Sequence, residues 1–105
     1  VSFFVMSSFS ERVWEVIKRI PEGRVSTYKE VALALDCRAY RAVGGALNRN
    51  PFAPVVPCHR VVSSDGSLGG FASGCADKIR ILKREGVLVK GNKVVDFDKK
   101  FFKLS

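Results

Sequence analysis

The chain has 105 residues, 47% of them hydrophobic and 27% charged, which suits one compact domain with a small core. Eighteen basic against ten acidic residues give a formal charge of +8 and a pI near 9.8, the balance expected of a protein that meets a polyanion. No run approaches the roughly 20 apolar residues that span a bilayer. The opening Val1–Met6 lacks the basic flank of a signal peptide, so the expectation is a soluble intracellular protein with no membrane partner.

In chain order, Ser8-Phe9-Ser10-Glu11 has capping-box spacing, and Val13, Val16, Ile17 and Ile20 follow at helical intervals, with Pro21-Glu22-Gly23 ending the helix. A second box, Thr27 to Glu30, opens a short helix that stops around Asp36-Cys37. A third segment, Ala39 to Leu47, carries Arg41, with Arg38 and Arg49 at its edges. Two short helices with a tight link, the second one basic, outline either a helix-turn-helix or a plain helical hairpin with solvated arginines. Gly44-Gly45 inside the third helix costs roughly 2 kcal/mol relative to alanines, so something must approach that backbone closely, a nucleic acid or another helix.

From Asn50 to Gly74 the chain is rich in Pro, Gly and Ser, with Val55-Val56 and Val61-Val62 as strand-like pairs and a turn at Ser64-Asp65-Gly66. Asp77 is placed to cap a last helix, Lys78 to Arg84, which Gly86 ends. Gly91-Asn92 reads as a two-residue hairpin turn, and the tail from Lys99 as a loosely docked terminus. The expected fold class is mostly α with small β elements, a winged helix-turn-helix-like single domain over 1–105, with residues 87–105 as terminal hairpin and tail.

Three cysteines, Cys37, Cys58 and Cys75, and one histidine, His59, match neither a disulfide framework nor a zinc pattern, so no metal or cofactor is expected. Reduced thiols fit a reducing compartment. The chemistry concentrates in Pro57-Cys58-His59-Arg60. A thiol is a useful nucleophile only as thiolate, and an imidazole is a common means of taking its proton. Adjacent residues on an extended chain point to opposite sides, so Cys58 and His59 need a turn or a bridging water to cooperate. On the dipeptide alone, a buried cysteine beside a surface histidine is the simpler reading.

The segment Val56-Pro57-Cys58-His59-Arg60-Val61-Val62 resembles the active-site signature of the O6-alkylguanine-DNA alkyltransferases. Arg41-Ala42-Val43-Gly44-Gly45-Ala46, Asn50-Pro51, Gly23 to Tyr28 and Arg84-Glu85-Gly86 resemble further motifs of that family, in register from Ser8 to Gly86. The resemblance implies single-turnover repair of double-stranded DNA, in which a flipped O6-alkylguanine gives its alkyl group irreversibly to Cys58. It implies that His59 deprotonates the thiol through a water, that Glu85 holds the imidazole, that Asn50 braces the turn and that Tyr28 protonates the departing guanine. Arg41 would fill the gap in the duplex, while Tyr28, Gly44, Gly45, Ala46 and Arg49 meet DNA from the minor-groove side. Val61, Leu47, Phe71, Ala72 and Ser73 would line the base pocket, and the carbonyls of Cys58 and Val61 would read the guanine amino group. The implied state is a monomer in the cytoplasm at the nucleoid, or in the nucleus of a eukaryote.

The resemblance is to a minimal form of the family without its N-terminal domain, and two pocket positions depart from the pattern. Phe71 stands where a tyrosine hydroxyl is common, and Ser73 where glycine is frequent. Two other classes compete. Alkyltransferase-like damage sensors flip the lesion and recruit excision repair without transfer, but lack a cysteine at the position of Cys58. A winged-helix regulator would leave Cys58, His59 and Glu85 without a purpose.

Overall fold

The computed structural model describes residues 8–49, 56–68 and 75–105. Helix α1 spans Phe9–Ile17, and its capping box is complete: the Ser8 hydroxyl accepts from the Glu11 amide and the Glu11 carboxylate accepts from the Ser8 amide, both at 3.1 Å. The helix ends three residues before Ile20, which loose turns carry into the core. Strand β1 (Ser26–Thr27) leads directly into α2 (Tyr28–Ala34), and α3 follows at Tyr40–Asn48. The apolar faces of the three helices close over one cluster containing Val13, Ile17, Val31, Val43, Leu47 and Cys58. Trp14 locks α1 to α3 by donating its indole N–H to the Ala46 carbonyl at 2.9 Å.

Cys58–Arg60 form a single turn of 3-10 helix, followed by β2 (Val61–Val62), which pairs in parallel with β1. The register Ser26↔Val61 and Thr27↔Val62 sets the cysteine turn beside the start of α2. Helix α4 spans Cys75–Arg84, so it begins before the expected Lys78. Asp77 lies inside it and pairs with Arg80 one turn on, at 2.8 Å, instead of capping it. Gly86, at φ +88°, turns the chain out of α4 as its lack of a side chain allows. Strands β3 (Val89–Lys90) and β4 (Lys93–Val94) form the expected hairpin, with Gly91 and Asn92 both at positive φ. The hairpin leans on the turn after β2 through Leu68 N–H to Asn92 O and Val94 N–H to Gly66 O. A second cluster, Val25, Val62, Leu68, Leu82, Val87 and Val94, fills the space beneath. Among the described residues, these small, separate strand pairs and five α-helices, the last being α5 (Phe97–Lys100), make the architecture mostly α. Among the described residues no helix is long and apolar enough to cross a membrane.

Two further expectations need correction. Thr27 caps α2 by accepting from the Glu30 amide at 3.0 Å, but the Glu30 side chain does not return the bond. It turns into the protein and accepts from the Leu104 and Ser105 amides at 2.8 Å and the Ser105 hydroxyl at 2.7 Å. The tail is therefore firmly docked. Lys100 O and Phe102 N–H pair with Val25, and Phe102 and Leu104 pack on the first cluster. A buried carboxylate needs donors, and the chain end supplies three that a box would not.

Burial pushes the Glu30 pKa up, but the bonds from Ser105 and Leu104, aided by Lys103, outweigh it and leave the group below its ordinary value. Its stabilisation is therefore present above the unfolded-chain carboxylate pKa and lost as pH falls through the lower folded value. Glu30→Gln is expected to lower stability by about 1–3 kcal/mol at neutral pH. In thermal melts the gap to the parent should close on acidification below the ordinary carboxylate range. A gap of equal size at both pH values would contradict the charged clamp.

Candidate active site and nucleic-acid interface

The cysteine turn supplies what an extended chain could not. Pro57 leads into it, and Arg60 N–H closes it on Pro57 O at 3.0 Å. Cys58 is 7% exposed and His59 2%, so both side chains work in a medium poorer in water than the surface.

Glu85, just past α4, is the partner that fixes the turn. Arg60 grips its carboxylate with both arms of the guanidinium fork, Nε to Oε1 at 2.9 Å and Nη2 to Oε2 at 2.6 Å. The third guanidinium nitrogen, Nη1, donates to Ile20 O at 2.8 Å and ties in the chain after α1. His59 Nε2 lies 3.1 Å from Oε2 of the same carboxylate. Gly23, at φ +87°, packs so close that a Cβ there would sit 3.3 Å from the Glu85 carbonyl.

The protonation states follow from these contacts. Burial raises the Glu85 carboxyl, but hydrogen bonds from Arg60 and His59 prevail and hold its pKa below the ordinary value. An ionised carboxylate only accepts, so Nε2 carries the hydrogen and Nδ1 keeps its lone pair. Burial is the largest effect on His59 and drives its pKa down. The pull of Glu85 in the other direction is insufficient, because Arg60 and Lys78 oppose it. The result is a neutral imidazole whose Nδ1 is left with a lone pair able to accept a proton. On the other side, burial and then the charge of Cys58 push the Tyr28 phenol up, so Tyr28 keeps its hydroxyl proton beside the sulfur.

Lys78 is 1% exposed and donates from Nζ to the Val61 carbonyl at 2.6 Å. That carbonyl is one of the two expected to read guanine; the other, of Cys58, accepts the Val61 amide. Each keeps a second lone pair. On α3, Val43, Ala46 and Leu47 face the core while Arg41, Ala42 and Asn48 are exposed. Ala46, expected on the groove-facing side, is therefore a core residue at 0% exposure. Leu47 shares the cluster of Cys58 and Val61. A Cβ at Gly44 would meet nothing within 4 Å among the described residues, and one at Gly45 only the guanidinium of Arg49. No described helix packs on Gly44, so among the described residues that backbone is open to approach from outside. Arg49 folds back to the Ser10 hydroxyl at 3.1 Å. Asn50, Phe71, Ala72 and Ser73 lie outside the described residues, as do the side chains of Cys75 and its neighbour. No cluster of His, Cys, Asp or Glu suited to a metal occurs among the described residues.

Residues 8–87 match the family model described as 6-O-methylguanine DNA methyltransferase, DNA binding domain. The chain belongs to the O6-methylguanine DNA methyltransferase family. It is 51% identical over 80 residues to a methylated-DNA–protein-cysteine methyltransferase of Methanosarcina barkeri, a match covering 75% of this chain and 51% of the relative. It is similar to the crystal structure of Mycobacterium tuberculosis OGT in complex with DNA, at 40% identity and a TM-score of 0.71, over 75% of this chain and 50% of that one. It is also similar to Schizosaccharomyces pombe Atl1 in complex with damaged DNA containing O6-carboxymethylguanine, at 26% identity and a TM-score of 0.76, over 90% and 94% of the two chains. The chain spans about half the length of the curated methyltransferases it matches.

Within this family frame, the turn, the α4 end and the α2 start converge on Cys58, whereas Arg41 and the glycines occupy the outer face of α3. Arg60 and Lys78 emerged only from the structure. Arg60 was visible as part of the signature, but its partner lies 25 residues away. Lys78 offered no signal, since a lysine in an amphipathic helix ordinarily faces water.

The His59 ring should titrate below its ordinary value of about 6.5. In Glu85→Gln it should titrate lower still, because the carboxylate is what raises it. Following the imidazole proton resonances against pH checks this, and an unchanged or raised value would break the assigned geometry.

Proposed function

We propose that this chain repairs DNA by taking the alkyl group of an extruded O6-alkylguanine onto Cys58, once per molecule. The observation that carries the reading is a buried thiol on the same turn as a neutral imidazole whose Nε2 faces an Arg60-compensated carboxylate. In this reading the thiol proton passes to Nδ1 of His59, directly or through a water. The thiolate attacks the alkyl carbon as the carbon–oxygen bond breaks. Tyr28 supplies a proton to the departing guanine, so that the net transfer is one alkyl group to sulfur and one proton to the base. No easy leaving path exists from a thioether, which makes the step irreversible.

Arg41, exposed on α3, is the residue we assign to the gap left by the flipped base, since a guanidinium both stacks and hydrogen-bonds. Gly44 and Gly45 let the helix backbone approach the floor of a groove only about 6 Å wide. The minor groove carries a degenerate pattern, which suits a protein that must act at any sequence. Arg49, expected to meet DNA, is better assigned to bracing the end of α3 on α1 through Ser10. Such work places the protein with the chromosome, in the nucleoid or nucleus.

The reading as a damage sensor that flips without transfer has one observation in its favour: Atl1 is matched over 94% of its chain. Cys58 argues against it. Incubation with a duplex carrying one O6-methylguanine should add the mass of one methylene per chain, located on Cys58 by peptide mapping, with no turnover. Tight binding to that duplex with no mass change would establish the sensor reading instead, and a methyl on Cys37 or Cys75 would remove Cys58 as acceptor.

A further inference from the structure

The hairpin β3–β4 carries a charge arrangement that the transfer reaction described above leaves unused. Alternate residues of a strand face opposite sides. Val89 and Val94 pair across the hairpin on its core side, where Val94 is 6% exposed. The other side presents Leu88, Lys90, Lys93 and Val95, all exposed. Lys90 and Lys93 stand directly opposite each other beside the Gly91-Asn92 turn. Like charges so placed repel, and a two-stranded ribbon has little stability of its own to offset them. Among the described residues neither lysine has an ion pair. Asp65 feels the charge of Lys93, but its carboxylate accepts from the Ser67 amide at 3.0 Å.

The two lysines are also held in place. The Asn92 carbonyl accepts from the Leu68 amide at 3.1 Å, the Val94 amide donates to Gly66 O at 2.9 Å, and Lys93 bridges to Ser67. These anchors belong to the turn that follows β2, the strand leaving the Cys58 turn. Ser63 and Ser64, earlier in the same turn, line an open cleft together with Tyr28. The hairpin is therefore fixed at one remove from the reaction centre.

We infer that the solvent face of this hairpin is a second DNA contact, in which Lys90 and Lys93 bracket a backbone phosphate outside the stretch met by α3. A phosphate between the two ammonium groups removes their repulsion, and the exposed Leu88 and Val95 behind them offer apolar surface to the adjoining deoxyribose. Lysine serves here as a point charge on a flexible stem, in contrast to the planar fork of Arg41. The size of the patch decides the occupant. Four residues are too few for a partner protein, whose stable interfaces take about 20–30 residues a side. A duplex already held by α3 brings its flanking phosphates to the hairpin at high effective concentration, so two lysines suffice. The contact reads no base and lengthens the footprint on one side of the lesion.

This inference rests on the proposed function for its duplex, and the test separates the two. Lys90→Gln/Lys93→Gln is compared with the parent and with Lys83→Gln/Lys99→Gln, which removes two exposed charges from α4 and α5. Binding to unmodified duplexes, one long and one trimmed to the stretch met by α3, is measured across a salt series. Transfer from free O6-benzylguanine is followed in parallel. On the long duplex the hairpin variant should lower the slope of log affinity against log salt by about two counterions. On the trimmed duplex it should match the parent. Its free-base reaction should be unchanged, which shows that the variant folds, because the core face of the hairpin is untouched. The control pair should keep the parental slope on both duplexes. A parental slope for the hairpin variant on the long duplex would overturn the contact. An equal fall in the control would overturn it as well, since net charge alone would then account for the effect. Should the parent transfer nothing to Cys58, the proposed function fails, and the salt series still decides the hairpin.

Discussion

The site depends on one carboxylate. Glu85 is ionised because Arg60 grips it in a two-armed contact, with side-chain exposures of only 15% and 10% for the pair. Removing one member of a pair this enclosed costs about 3–5 kcal/mol, because the other charge is left without compensation. The same contact has a chemical consequence. A lone carboxylate beside His59 would favour the imidazolium, which cannot accept a proton. With Arg60 neutralising Glu85, burial prevails and the imidazole stays neutral. Arg60 thereby connects fold and reactivity: it closes the site mechanically, through Ile20, and sets the proton state of its neighbour in sequence.

A second constraint acts on α3, whose two faces have opposite requirements. Val43, Ala46 and Leu47 must fill the core above α1, and Trp14 holds that face in register. The outer face carries Arg41 and the open glycine Gly44, with no described side chain within 4 Å of where a Cβ would stand. Rigid attachment on one side is what permits a bare backbone on the other. The glycines weaken the helix intrinsically, and the packing of their neighbours offsets that weakness.

Much of this was legible in the sequence, where the signals were local. The Ser8–Glu11 box, the Gly91-Asn92 turn and the stop at Gly86 each depend on a few adjacent residues. The signature around Cys58 and the outlying Glu85 were legible through family resemblance, as was Tyr28. What escaped has a common physical cause, namely long-range partners for polar groups. Glu30 has the spacing of a capping residue, but its carboxylate is satisfied by Leu104 and Ser105, more than seventy positions away. Lys78 lies on a helix face that looks solvated until the Val61 carbonyl is placed above it. Ala46 follows its glycine neighbours in the motif, but one further residue along a helix turns the side chain by about 100°, which carries it into the core. Asp77 has the residue type of a cap but lies inside α4, because a helix start is weakly specified when the preceding segment is rich in Gly and Ser.

The central claim is that Glu85 serves the reaction through His59 and not independently of it. A double-mutant cycle in single-turnover methyl transfer to Cys58, comparing His59→Ala, Glu85→Gln and the double variant with the parent, tests this most directly. The account predicts strong non-additivity: with His59 gone, the further loss of Glu85 should slow transfer little. If the two losses instead multiplied, each residue would act on its own, and the assignment of Glu85 as the holder of a neutral His59 would be wrong.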